Sequence, residues 1–226
     1  MKSNICLYLY VSILLVSCSS PKKSEKADRQ IVETKEQEQT TNLKTILFFG
    51  NSITAGYQLD LSEAFSALIQ NRLDSLNIAY RTVNAGLSGE TTASGATRVD
   101  WVLKNPIEIF VLELGANDGL RGIKTLETKK NLQHIIDKVF AKYPECQIIL
   151  AGMKIPPNMG QVYTKDFEMI YPELAKENDI QLIPFLLDGV AGIPELNLED
   201  GIHPTAEGHS ILMENVWKVL SPLLEK

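Results

Sequence analysis

Histidine is scarce in this 226-residue chain. His134, His203 and His209 are the three that occur, and no two have the spacing of a paired zinc-ligand motif. Basic charge is not in excess either: 22 Lys and Arg against 28 Asp and Glu give a formal net charge of −6, with no arginine-rich stripe. Nothing there supports a nucleic-acid partner. Aromatic residues are only 7% of the chain, which leaves few rings to stack on sugars, while the 44% apolar content is that of an ordinary soluble domain. Internal repeats are absent, and the apolar run at residues 5–16 is too short to cross a bilayer.

That run has the length of a secretory signal core and follows Lys2. It ends in Leu15-Val16-Ser17-Cys18, which resembles the bacterial lipoprotein lipobox. The resemblance implies that residues 1–17 are a signal peptide, that Cys18 is lipidated, and that the protein is an exported bacterial lipoprotein. It would be anchored to a membrane through Cys18, in the periplasm or at the cell surface. Cys6 then leaves with the signal and Cys18 carries lipid, so Cys146 has no disulfide partner. Its setting, Cys146-Gln147-Ile148-Ile149-Leu150, reads as the start of a buried strand and a structural role. Residues 18–42 form a Lys-, Glu-, Gln-, Ser- and Thr-rich tether with little to bury, averaging about 30 Å end to end as a flexible coil.

From residue 43 to 226, strands and helices alternate. Apolar runs predict strands at 45–49, 79–83, 107–114, 147–151 and 180–183. Helical stripes predict helices at 62–76, 92–103, 126–143 and 164–178, with a last helix opened by Pro204. Repeated βα units with short links imply an α/β fold, a parallel sheet covered on both faces. Ligands then collect outside the carboxyl ends of the strands.

Four short stretches converge on that end. Gly50-Asn51-Ser52-Ile53-Thr54 puts a serine at a strand-to-helix turn, where its hydroxyl and backbone N–H can both face substrate; Ser52 alone fits a helix N-cap equally well. The Lys-Ser/Thr ending of a phosphate loop and the second glycine of a Gly-x-Ser-x-Gly elbow are both missing. Asn84-Ala85-Gly86 ends a strand with a bare backbone donor or a plain turn glycine. Gly115-Ala116-Asn117-Asp118 offers an uncharged side-chain donor, or an Asx turn, with Asp118 positioning the loop. In Asp200-Gly201-Ile202-His203, a carboxylate and an imidazole three residues apart can bond while the other ring nitrogen faces a nucleophile. Pro204 disfavours the helical conformation at His203.

Taken together, the set resembles the SGNH (GDSL-type) hydrolase family, in the branch of bacterial acyl-CoA thioesterase I, lysophospholipase L1 and arylesterase. The resemblance runs from about residue 43 to the end and includes Glu113-Leu114-Gly115-Ala116-Asn117-Asp118-Gly119, Ile170-Tyr171-Pro172-Glu173 and Asp200-Gly201-Ile202-His203-Pro204. It implies a three-layer α/β/α sandwich on a five-stranded parallel sheet, flavodoxin-like in type, and an esterase working without cofactor or metal on small-molecule or lipid esters. Ser52 would be the nucleophile, His203 the base and Asp200 its orienter; the Ser52 N–H, Gly86 N–H and Asn117 side chain would hold the oxyanion. Gly119, Leu120, Arg121, Ile155 and Pro156 would meet the substrate. Deacetylation of a polysaccharide, or retention of the fold as a non-catalytic binding lipoprotein, are the alternatives. Asn51 departs from the family's usual Asp at that position.

Overall fold

The computed structural model describes residues 43–225. The expected signal segment, the lipidated Cys18 and the tether lie outside the described residues. Strand β1 (Lys44–Gly50) is buried along nearly its whole length, which suits an interior place in a parallel sheet. It is joined by β2 (Tyr80–Gly86), β3 (Ile109–Glu113), β4 (Gln147–Ala151) and β5 (Gln181–Ile183). The order is β2-β1-β3-β4-β5 and every neighbouring pair is parallel. The helices are α1 (Ser52–Ala55), α2 (Phe65–Ser75), α3 (Thr92–Val102), α4 (Ala116–Leu120), α5 (Thr125–Lys142), α6 (Gln161–Asn178) and α7 (Ala206–Leu220).

Helix α2 packs with α7 over one face of the sheet, and α5 packs between α3 and α6 over the other, completing the expected three layers. The core between them is apolar, with Ile46, Phe48, Phe49, Phe110 and Phe167 fully buried. Cys146 is buried just before β4, and burial pushes its thiol up to about 12, so it stays protonated and unreactive at neutral pH.

Chain direction across the sheet reverses at β1, whose neighbours are β2 and β3, and that switch point is where open α/β sheets leave a crevice. Gly50 stands in register with both Gly86 and Glu113. Three of the four sequence motifs therefore leave the sheet at one level.

Three element boundaries differ from expectation. Residues 62–76 are not one helix: a 3-10 turn (Leu61–Glu63), held by an Asp60–Glu63 capping box, is followed by an extended Ala64 before α2 begins. Ala64 has no side chain to cap α2, and His209 Nδ1 takes the Phe65 N–H instead at 3.1 Å. The second strand runs to Gly86 rather than stopping at residue 83, so Gly86 ends it as its motif implied. Pro204 does not open α7; it bridges Asn197, and Thr205 caps the helix by accepting from the Gly208 N–H at 3.2 Å.

Candidate active site

Ser52 is the first residue of α1, a helix of four residues that emerges directly from β1. Asn51 caps it, its Oδ1 accepting from the Ile53 N–H at 2.9 Å. A helix this short has almost no internal bonding to hold it, since a single turn fixes several dihedrals for one hydrogen bond. The bonds that hold it come from outside. The buried Glu113 carboxyl at the end of β3 accepts from the Asn51 N–H (3.1 Å), Asn51 Nδ2 (2.7 Å), the Thr54 N–H (3.3 Å) and Thr54 Oγ1 (2.8 Å). A Cβ at position 50 would overlap Thr54 Oγ1 and Glu113 Oε2, so only glycine admits this carboxyl beneath the turn.

His203 lies 151 residues further along the chain, and its Nε2 is 2.9 Å from Ser52 Oγ. Its Nδ1 is 2.6 Å from Asp200 Oδ2. The other Asp200 oxygen accepts from the backbone N–H groups of Ile202 (2.8 Å) and His203 (3.0 Å). The His203 N–H, then the ring bond, hold the Asp200 carboxyl down to about 2, so it is ionised at any working pH. An ionised carboxylate only accepts, which assigns the ring proton to Nδ1 and leaves the Nε2 lone pair facing the serine. Gly201 sits at φ +68, the left-handed conformation that folds the Asp200–His203 turn tightly enough for these contacts.

The expected oxyanion donors are placed differently from one another. The Ser52 N–H, at the first position of α1, has no partner among the described residues. Asn117, on α4, donates one Nδ2 proton to the Glu90 carbonyl at 3.0 Å and keeps the second. The Gly86 N–H is instead taken by Asn84 Oδ1 at 2.9 Å. Asn84 is itself fixed, donating to the Thr54 carbonyl (2.7 Å) and to Ser66 Oγ (3.1 Å). Glycine is needed at 86 because the α1 backbone lies against it, with Ala55 N only 2.2 Å from an added Cβ.

Three residues on, Gly89 has a φ of +80 and open space on its Cβ side, and its N–H has no partner among the described residues. The turn that carries it is braced. Arg98 grips the buried Glu90 carboxylate with two nitrogens and stacks at 4.3 Å over the Phe49 ring. Asp118 is fully buried and accepts from the Thr92 N–H and hydroxyl, in keeping with its expected positioning role.

Of the residues expected to meet substrate, Gly119 and Ile155 are buried against each other, an added Cβ on the glycine falling 2.3 Å from Ile155 Cγ2. Leu120, Arg121 and Pro156 are exposed, and Arg121 Nη2 donates to the Gly89 carbonyl at 3.2 Å. Sequence reasoning missed Tyr57, whose ring lies 4.4 Å from that of His203, and it missed Glu113. The signal for Glu113 was present: a charged residue closing an otherwise wholly apolar strand. His134 is exposed, and His209 is buried under α2 with its Nδ1 taken by the Phe65 N–H. Among the described residues, no cluster of three or more His, Cys, Asp or Glu side chains is placed to hold a metal ion.

Chemically, the array can deprotonate Ser52 onto His203 as the serine attacks an electrophilic carbon, with Asp200 steadying the imidazolium. A serine so held at the carboxyl end of a parallel sheet defines the class, a serine hydrolase of α/β architecture. The chain belongs to the GDSL-like Lipase/Acylhydrolase family, whose profile matches residues 48–211. It is 39% identical over 182 residues to "Esterase TesA" of Pseudomonas aeruginosa, covering 80% of this chain and 90% of that protein. It is 36% identical over 181 residues to "Thioesterase 1/protease 1/lysophospholipase L1" of Escherichia coli K12, covering 80% and 85%. A crystal structure of TesA superposes with a TM-score of 0.76 at 39% identity, covering 80% of this chain and all of the other.

Proposed function

We propose that this protein is a serine esterase that hydrolyses carboxylic esters through an acyl-enzyme. The observation that carries the residue assignment is the 2.9 Å approach of His203 Nε2 to Ser52 Oγ across 151 residues of sequence. Ser52 attacks the ester carbonyl while His203 takes its proton, and the Asp200 carboxylate holds the ring and balances its charge. The protonated imidazole then gives that proton to the departing alcohol. Water, deprotonated by His203, releases the acid and restores the serine.

The oxyanion is held by the Ser52 N–H and the free proton of Asn117 Nδ2. The third donor is better assigned to Gly89 than to Gly86, because the Gly86 N–H is already bonded within the protein. Gly119, Leu120, Arg121, Ile155 and Pro156 contribute the walls for the acyl chain.

Within esters, lysophospholipids and short-chain or aryl acyl esters are favoured as substrates, with thioesters cleaved as well; lysophospholipase and thioesterase are among the activities named for the Escherichia coli relative. The sequence Leu15-Val16-Ser17-Cys18 supports export and anchoring through a lipidated Cys18, which would place the domain beside lipid substrates and away from cytosolic acyl-CoA.

A fluorophosphonate probe is expected to label the wild-type protein at Ser52, and Ser52→Ala should lose both label and turnover while melting at an unchanged temperature. Near-normal hydrolysis by that variant would refute the assignment, and a wild type inert to the probe would point to a binding module. A panel of p-nitrophenyl esters of increasing length, lysophosphatidylcholine and acetylated xylan resolves the substrate, with preference for the xylan overturning the choice made above.

A further inference from the structure

Behind the nucleophile lies a carboxyl group that the hydrolytic steps do not use. Glu113 is 1% exposed, Asn51 equally so and Thr54 wholly buried, so no solvent reaches the contact between them. Its two oxygens collect four bonds. Oε2 takes the backbone N–H groups of Asn51 and Thr54 and the Thr54 hydroxyl, while Oε1 takes Asn51 Nδ2. Three of those four partners are N–H groups that can only donate. The ionised carboxylate satisfies all of them; a protonated acid has only the Thr54 hydroxyl to receive its proton, and then loses that hydroxyl as a donor.

A carboxyl group in so dry a place is costly unless its bonds replace the hydration it loses. These bonds end on the residues immediately before and two after Ser52, so they bracket the nucleophile. The helix that bears Ser52 is one turn long and cannot hold the direction of the Ser52 N–H and Cα–Cβ bonds by itself.

We infer that Glu113, matched by the amide of Asn51, is a positioning residue that fixes the Ser52 turn for attack. This rests on the reading of Ser52 as nucleophile. It also gives a reason for Asn51 in place of the family's usual Asp. An aspartate there would set a carboxylate oxygen 2.7 Å from Glu113 Oε1, tolerable only with a proton shared between them. The amide supplies that hydrogen permanently, and its Oδ1 still caps α1.

Reciprocal exchange tests this. In Asn51→Asp two acceptors face each other; in Glu113→Gln, whichever way the amide is turned, a donor faces a donor. In the double variant Asn51→Asp/Glu113→Gln, the amide oxygen introduced at position 113 takes the three Oε2 bonds. Its NH2 donates to the carboxylate introduced at position 51, whose other oxygen still accepts from the Ile53 N–H. Every bond is kept with the charge moved to the facing side chain. Each single variant is expected to lower kcat by about 10- to 100-fold with KM nearly unchanged, the scale of a modest misplacement of a reacting group. The double variant should regain at least about tenfold over either single.

Folded single variants with wild-type kcat, or a double variant no better than the worse single, would overturn the inference. Should a single variant fail to fold, Thr54→Val decides. It deletes only the hydroxyl donor, and a several-fold fall in kcat at constant KM supports positioning, whereas unchanged kcat refutes it. Ser52→Ala, run alongside with the fluorophosphonate probe, separates this from the parent reading. A variant lacking the serine that still turns over would sink the nucleophile; full activity in the singles, with Ser52 labelled in wild type, would sink only the clamp.

Discussion

Two carboxylates serve one serine, and their surroundings treat them in opposite ways. Asp200 lies on the open side, its side chain 37% exposed, where two backbone N–H groups and the His203 ring hold its carboxyl down to about 2. Glu113 lies on the sealed side and accepts four bonds, yet burial outweighs them and pushes its carboxyl up to about 7. The number of donors alone therefore does not set the acidity of a site; the share of the ion's hydration that those donors replace does. The exposed acid can be an ion at no great expense and so can act on a titrating imidazole. The buried one works by geometry.

The sharpest break in this comparison is Asp200→Asn. The amide oxygen can still accept from the Ile202 and His203 N–H groups, so the turn survives. Its NH2 then faces His203 Nδ1 and drives the ring proton to Nε2, the atom that must receive the serine proton. A loss of about 10⁴ in kcat is expected with little change in melting temperature, as for the same exchange in other serine triads. Steady-state kinetics and a thermal melt check it together, and a loss of only a few-fold would show that Asp200 merely props the turn.

A smaller effect is expected at the oxyanion. Asn117→Ala removes a side-chain donor whose free proton matters only once charge develops, so kcat should fall by about 10²–10³ with KM little altered. An effect confined to KM would move Asn117 from oxyanion stabilisation to ground-state binding.

How much of this was legible in the sequence follows the same division between open and sealed sides. Runs such as Thr-Ile-Leu-Phe-Phe announce interior parallel strands because burial on both faces leaves no alternation, and β1 and β3 lie where those runs stand. The Asp200–His203 pair is local, three residues apart, and so could be read from spacing. The Asn51–Glu113 contact spans 62 residues and depends on β1 and β3 being neighbours in register, which no local pattern encodes. The choice between Gly86 and Gly89 turned on Asn84 folding its side chain back onto the strand end, a rotamer choice invisible in composition. Tyr57 meets His203 only because α1 and the Asp200–His203 turn converge.

The smallest expected effect is also the one that tests burial most directly. Glu113 has its folded-state value raised from 4.5 to about 7, so between those pH values the folded protein keeps a proton that the unfolded chain has lost, and stability declines as pH rises through the window. The clamp on the Ser52 turn is complete once that proton has left. Beneath α2, burial pushes the His209 ring from 6.5 down to about 4, where it stays neutral and accepts from the Phe65 N–H. There the unfolded chain holds the extra proton, and stability is lost as pH falls from 6.5 towards 4. Each swing is roughly 3 kcal/mol at about 1.4 kcal/mol per pH unit, and the two have opposite sign over nearly the same range. Tyr171 on α6, which feels the Glu113 charge, is held far above neutral pH by burial and adds nothing to this window. Wild type should therefore show a melting temperature that varies less between pH 4.5 and 6.5, the span common to both groups, than that of a variant lacking either one. Glu113→Gln, though less stable throughout, should unmask a curve rising with pH, and His209→Gln one that falls. Parallel curves for all three proteins would mean that neither buried group carries the proton assigned to it.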